Sequence, residues 1–498
     1  MENIILTRSQ NGNKYLYCCN EKLIHNIDDD IYNIVAFAQQ QKMHLHQLNC
    51  SLLKQNDLHI SENKLQYFKD ILISNNDLNA IQTPIKKEIE SEVAKFYLSN
   101  FPQIAFEVTE KCNLECKYCT YGDFYSGHDQ RKNNELDIEA GIQVVKYIYD
   151  YCRSNYSTSV INEINISFYG GEPLMNFKFI RDITMFAKSI ETKSIHFNFS
   201  MTTNATLINR YIDFLIQFKF RLLISLDGNH HNNSYRVFKD GTSSFNKVVS
   251  NLTSIKNNFP KYFAEYLNFN SVLHNRNSVE EISTFIQEQF GKSPMIAEIS
   301  SDGLISEKKA ELQHLYKNKD VDLKQSEDYY NLLHKENLKE IPDFKEAMYF
   351  IFNQTNLVFV NYSDLYFNRK RSIKPSGTCL PFSRKIFVTA NGKLLPCENV
   401  SHKYSFGTVT KDGVNIDFNN LAKIYSGYLE RMENMCKNCF RITNCTQCMF
   451  QLNLNDDSIT CYGYMDSLDF STYLSNIITY FEDHPEVFSK IILETSIS

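Results

Sequence analysis

From Phe101 onward the apolar positions alternate between two rhythms. Short apolar or alternating runs at Ile104–Thr109, Glu163–Tyr169, His196–Thr202, Arg221–Leu226, Asn268–Leu273 and Met295–Ile299 predict strands. Between them lie stretches with helical spacing. Asp137–Tyr151 is the clearest, with Ile138, Ile142, Val145, Ile148 and Tyr149 on one stripe; Phe179–Ser189, Asn209–Phe218, Phe245–Asn258 and Val279–Phe290 follow. Parallel neighbours need a crossover, so six such strand–helix repeats predict an α/β domain with a parallel sheet over about residues 101–300. Sheets of this kind carry their chemistry at the carboxyl ends of the strands.

Other rhythms flank this core. Ile4-Ile5-Leu6 and Tyr15–Cys18, joined by the turn-like Gln10–Asn13, predict a hairpin, with Leu23-Ile24 as a third short strand. Asp28–Gln41 predicts a helix with Ile31, Ile34, Val35 and Ala38 on one face and acidic residues at its start. This makes residues 1–95 a small α+β element. Residues 301–375 are charged and mostly helical in pattern, as at Ser306–Tyr316 and Asp343–Phe352, and are expected to bridge to a cysteine-rich block at 376–465. A helical tail, 466–498, ends the chain.

The 498 residues, 43% hydrophobic, suffice for more than one core. With 52 basic and 58 acidic residues and no basic block, there is no electrostatic footprint for nucleic acid. The start has no basic, apolar signal pattern, and no apolar window is long enough for a membrane span. The chain is therefore expected to be cytoplasmic. In that compartment 14 cysteines point to metal ligands or free thiols rather than disulfides.

Three of them, Cys112, Cys116 and Cys119, form C-x3-C-x2-C directly after the first core strand. A [4Fe–4S] cluster normally takes four thiolates, so three leave one iron for another ligand. This motif, with Tyr118 before its third cysteine, resembles that of the radical S-adenosylmethionine (SAM) enzymes. The resemblance implies a partial (β/α)6 TIM-like barrel whose open iron binds the amino and carboxylate groups of SAM. It also implies reductive cleavage of SAM to a radical that abstracts a substrate hydrogen. Gly170-Gly171-Glu172-Pro173, after the second strand, resembles the family element that binds the SAM amino group, with Glu172 as acceptor. The third strand ends at Thr202-Thr203-Asn204, and Asn204 is a further candidate cofactor contact. Ser225 and Asp227, at the end of the fourth, are candidate acceptors for a ribose hydroxyl, and Arg236 a candidate partner for a carboxylate. His230 and His231 are expected to be solvated.

The C-terminal block carries Cys379, Cys397 within a G-x4-C, then Cys436, Cys439, Cys445 and Cys448 as C-x2-C-x5-C-x2-C, and Cys461. It resembles the SPASM extension of radical SAM peptide and protein maturases, which holds two auxiliary [4Fe–4S] clusters. It departs from that pattern by having two residues, not three, between Cys445 and Cys448. The resemblance implies Cys436, Cys439, Cys445 and Cys461 around one cluster and Cys379, Cys397 and Cys448 around the other. The second would then have an open iron or another fourth ligand. Zinc is the alternative for these cysteines, although a zinc ribbon spaces its pairs further apart. Glu398, next to Cys397, matches the place of a general acid/base in related sulfatase maturases. Cys18, Cys19, Cys50 and Cys152 lie outside any motif and read as free thiols.

The combined expectation is a radical SAM/SPASM enzyme with three [4Fe–4S] clusters and SAM. It would modify a ribosomally made precursor peptide by a thioether or carbon–carbon crosslink. Residues 1–95 resemble a winged-helix-like leader-peptide recognition element; a packing extension is the alternative. A flavodoxin or ferredoxin-type donor would supply electrons, and neither nucleic acid nor membrane is an expected partner. Two other readings remain: an anaerobic sulfatase-type maturase forming formylglycine, and a zinc-stabilised binding module.

Overall fold

The computed structural model describes residues 4–19, 22–44, 47–73, 88–155, 157–158, 162–300, 303–326, 342–355, 377–442, 445–455 and 458–494. Parts of the expected bridge lie outside these residues. The chain forms two compact units. One comprises residues 1–87, 330–377 and 428–498, the other residues 88–329 and 378–427.

In the second unit all six expected strands form: β4 (Gln103–Thr109), β6 (Asn162–Gly170), β7 (Ile195–Thr203), β8 (Arg221–Ser225), β10 (Leu267–Leu273) and β11 (Met295–Glu298). Short β5 (Leu114–Cys116) and β9 (Arg236–Phe238) pair with each other beside this sheet. The six run parallel in the order β11-β10-β8-β7-β6-β4. β6 and β7 bury every second residue, Ile164, Ile166 and Phe168 in one and Phe197, Phe199 and Met201 in the other. Their rings continue into Phe106, Phe179 and Phe220, with centroids 5.3–5.8 Å apart for three of the pairs.

Helices cover this face, and local chemistry sets their ends. Asp137 caps the helix Ile138–Cys152 by accepting from the Ala140 amide at 3.0 Å. Ser278 caps Val279–Phe290, which stops at Gly291 in the left-handed region, φ 68°. Gly141 lets its helix approach the next, for a Cβ there would lie 2.7 Å from the Phe179 ring.

Sequence reading gave the C-terminal block no strands, yet four of them join this sheet. β12 (Ile386–Val388) lies parallel to β4, and β13 (Lys393–Leu395), β14 (Gly407–Thr410) and β15 (Gly413–Ile416) follow antiparallel. The Asn391-Gly392 turn between β12 and β13, with Gly392 at φ 77°, is an ordinary hairpin signal. The same glycine opens the G-x4-C of Cys397.

The first unit has an antiparallel sheet of β1 (Ile4–Arg8), β2 (Lys14–Cys18) and β3 (Leu23–Ile27), followed by the helix Asp29–Gln40. Ile31, Ile34, Val35 and Ala38 pack on Leu16 and Cys18, as the stripe predicted. The tail contributes to this unit. The helix Ser467–Asp483 lies along β1, where Thr7 donates to the Ser471 carbonyl (2.8 Å) and the Ser471 hydroxyl to that of Leu6 (2.7 Å). Among the described residues no helix is long and apolar enough to cross a membrane.

Candidate functional site

The site begins where β4 ends. The loop from Lys111 carries Cys112, runs through β5 to Cys116 and turns to Cys119, whose amide donates to the Cys116 carbonyl at 3.1 Å. Cys112 and Cys116 both lie within electrostatic reach of Cys119. Burial pushes the Cys116 thiol up to about 12 and raises that of Cys112, so either becomes a thiolate only against a compensating cation. The Leu114 amide points at the Cys112 sulfur, 3.4 Å away. Three converging, half-buried thiols with an amide aimed at one sulfur fit an iron–sulfur cube.

The Gly-Gly-Glu-Pro turn lies against this loop. Gly171 donates to the Thr109 carbonyl (2.9 Å) and Glu172 to that of Lys111 (2.8 Å). A Cβ on Gly171 would lie 2.1 Å from the Lys111 oxygen, and one on Gly170, at φ 126°, 2.5 Å from that of Thr109. The glycines are thus demanded by the chain's own backbone. Glu172 is enclosed, and its carboxylate accepts from the Leu174 amide (3.1 Å), the Thr203 hydroxyl (2.7 Å) and the Asn204 amide (2.8 Å). Burial lifts its pKa to about 7 despite these donors. The Asn204 side chain donates to Asn113 (2.9 Å) and reaches the Cys112 sulfur at 4.0 Å, tying the end of β7 to the cysteine loop.

At the end of β8, Ser225 is half-buried and Asp227 fully buried. Arg236 donates to Asp227 through Nε and a terminal nitrogen, both at 3.0 Å. The Val272 amide donates at 2.9 Å, and the Tyr118 hydroxyl also bonds the carboxylate. His274 Nε2 lies 3.7 Å away and stacks on Tyr118. Burial alone would raise the Asp227 pKa, but Arg236, His274 and Tyr118 together hold it down to about 2. His230 and His231 are exposed.

Across the sheet, Glu398 follows Cys397 beyond β13. Lys385 Nζ contacts both of its oxygens at 3.0 Å. Burial would raise this carboxyl, but Lys385 outweighs it and holds the pKa below the usual range. Tyr169, at the end of β6, lies within electrostatic reach of both Glu398 and Cys119, and burial lifts its pKa to about 12. Lys385, Tyr169 and His274 were not singled out from sequence. Tyr169 and His274 could have been found by scanning strand ends for polar residues. Lys385 gave no signal without β12.

In the first unit Cys436 lies within electrostatic reach of Cys439, Cys445 and Cys461, the set implied for one auxiliary cluster. Gly377 packs so closely on the Cys445 carbonyl that a Cβ would lie 2.0 Å from its oxygen. Cys448 belongs to this unit, Cys379 and Cys397 to the other, where Cys379 is exposed. Among the described residues no three His, Cys, Asp or Glu side chains close on a single metal ion.

Comparison with known proteins finds similar chains and a matching domain family. Over 343 residues the chain is 25% identical to the cysteine-type anaerobic sulfatase-maturating enzyme of Clostridium novyi, covering 66% of this chain and 83% of that one. It is 26% identical to the radical SAM cyclopropyl synthase TigE of Paramaledivibacter caminithermalis over 255 residues, half of this chain and 51% of that protein. Its fold is similar to solved structures of anSMEcpe with bound AdoMet and the peptides Kp18Cys or Cp18Cys. These are 18% identical, with TM-scores of 0.50 and 0.51, and cover 78% of this chain and 99% of theirs. Residues 106–288, from β4 through the Val279–Phe290 helix, match the Radical SAM superfamily. The chain therefore carries a radical SAM domain, a family that implies a [4Fe–4S] cluster and SAM.

Proposed function

We propose that the chain is a radical SAM/SPASM maturase that abstracts a hydrogen atom from a ribosomally made precursor peptide and installs a thioether or carbon–carbon crosslink. The observation that carries this reading is the place of Tyr169. It lies within electrostatic reach of both Cys119 and Glu398, so a residue of β6 stands between the cysteine loop and a charged carboxylate. When bound, the cluster and SAM supply the radical that takes the substrate hydrogen. Cys112, Cys116 and Cys119 would hold the cluster. Glu172 would accept from the SAM ammonium, whose charge would favour the ionised carboxylate that burial resists. Arg236 still carries N–H groups without an acceptor among the described residues, so it can receive a carboxylate while paired with Asp227. Ser225 offers a hydroxyl to the ribose. Glu398, kept ionised by Lys385, can take the proton released when a substrate thiol or carbon is oxidised.

The cysteines of the C-terminal block would hold two auxiliary clusters, one of them on Cys436, Cys439, Cys445 and Cys461. A leader peptide would pair with β3. The helix Ser467–Asp483 occupies the β1 edge, and among the described residues β3 pairs only with β2. A flavodoxin or ferredoxin-type protein would deliver electrons. The second reading, formylglycine formation, draws on the sulfatase-maturating relative and on Glu398, which would then deprotonate a Cys or Ser side chain.

Co-expression with candidate peptides and mass spectrometry decides between them. A crosslink removes two hydrogens and leaves no carbonyl. Formylglycine gives an aldehyde that hydrazines trap. An unchanged peptide with cluster-loaded enzyme rejects that substrate.

A further inference from the structure

We infer that Asp227 is a positioning residue, which acts on the cofactor through Arg236 and Tyr118 and does not touch it. The inference rests on the radical SAM reading of the cysteine loop and deepens it. An ionised carboxylate has about four acceptor positions. At Asp227 all four are taken by the chain itself. Oδ1 accepts from an Arg236 terminal nitrogen and the Val272 amide, Oδ2 from Arg236 Nε and the Tyr118 hydroxyl. None is left for a ribose hydroxyl, the role its place at the end of β8 suggested.

The donors come from three places that must agree for the site to form. Tyr118 lies within the cysteine motif, between Cys116 and Cys119. Arg236 opens β9, which pairs with β5 so that Arg236 stands opposite Cys116. Val272 lies near the end of β10, and His274 follows it. The His274 Nδ1 accepts from the Arg276 amide at 3.1 Å, and its Nε2 lies 3.2 Å from the Asn277 side-chain nitrogen and 3.7 Å from Asp227. One buried carboxylate thus fixes the cysteine loop against two strand ends and turns the guanidinium so that its unbonded edge faces elsewhere. A single acceptor that orients the groups contacting a metal site is a common arrangement around such sites.

The test uses anaerobically reconstituted full-length protein, with iron per chain, equilibrium SAM binding and the EPR spectrum of the reduced cluster as readouts. D227N, R236M and the double variant form a cycle. Each single variant is expected to weaken SAM binding about ten-fold or more, and the double variant to bind no worse than R236M beyond the roughly two- to five-fold that the Tyr118 contact carries. Losses that multiply would mean that Asp227 contacts the cofactor itself, and wild-type affinity in D227N would mean that it orients nothing. Either overturns the inference. Should D227N fail to hold iron, Y118F takes its place, because it removes one donor without uncovering the Arg236 charge. It should keep its iron and bind SAM about two- to five-fold more weakly; unchanged affinity overturns the inference. A wild-type cluster that ignores SAM would instead sink the radical SAM reading. Iron loading of D227N would then judge the hub, with wild-type loading counting against it.

Discussion

Glu172 and Asp227 stand after strands of one parallel sheet, separated only by β7, and both are enclosed. Their acidities diverge. Glu172 rises to about 7, while Asp227 falls to about 2. Hydrogen bonds do not make the difference, since Glu172 accepts from three donors. All three are neutral, whereas Asp227 faces a guanidinium. Neutral dipoles soften the cost of burying a carboxylate; a buried cation reverses it. The two ends of the sheet therefore suit different tasks. The Glu172 end lacks a positive charge and is prepared to receive one. The Asp227 end is already neutralised and serves as a joint.

The largest expected effect breaks this contrast. Asp227→Asn leaves Arg236 as an uncompensated buried charge and should cost about 3–5 kcal/mol in denaturant unfolding. A loss below about 1 kcal/mol would show that the pair carries little.

The pH dependence sharpens it. Glu172 titrates above its unfolded value, so its contribution is best below about pH 4.5 and worsens as pH rises through 7, by about 3 kcal/mol. Asp227 titrates below its unfolded value, so its contribution is present above about pH 4 and is lost on acidification towards 2. Unfolding across pH should show the first fall flattened in Glu172→Gln and the second flattened in Asp227→Asn. Unchanged profiles would remove the contrast.

Gly171→Ala drives a methyl into the Lys111 carbonyl and should separate the two loops, at about 1–3 kcal/mol and with reduced iron loading. Tyr118→Phe is the smallest, about 1 kcal/mol in thermal unfolding, since one bond to Asp227 is lost while Arg236 remains.

The six parallel strands were legible because each is buried enough to leave a continuous or alternating apolar run. Ile386–Val388 and Lys393–Leu395 were not, since three residues make too short a pattern and the cysteine spacing drew attention instead. The cysteine loop and its glycines were legible as motifs. Their reasons were only partly so. Gly170 and Gly171 read as part of an element resembling one that binds SAM, and in the fold they also make room for Thr109 and Lys111. Asp227 and Arg236 read as two ligand contacts because nothing in their spacing says that they bind each other. A pairing across β9 depends on tertiary packing, which a linear pattern does not encode. Lys385 was hidden for the same reason, as its partner lies across a hairpin that the sequence reading had not drawn.

The central claim is that Cys112, Cys116 and Cys119 hold a cluster with one iron free for SAM. EPR of the reduced, reconstituted protein with and without SAM tests it directly, in a form where Cys379, Cys397, Cys436, Cys439, Cys445, Cys448 and Cys461 are alanine so that only this site contributes. The account predicts a [4Fe–4S]+ signal that changes on adding SAM and disappears in Cys119→Ala. A signal indifferent to SAM, or one that survives the loss of Cys119, would contradict it.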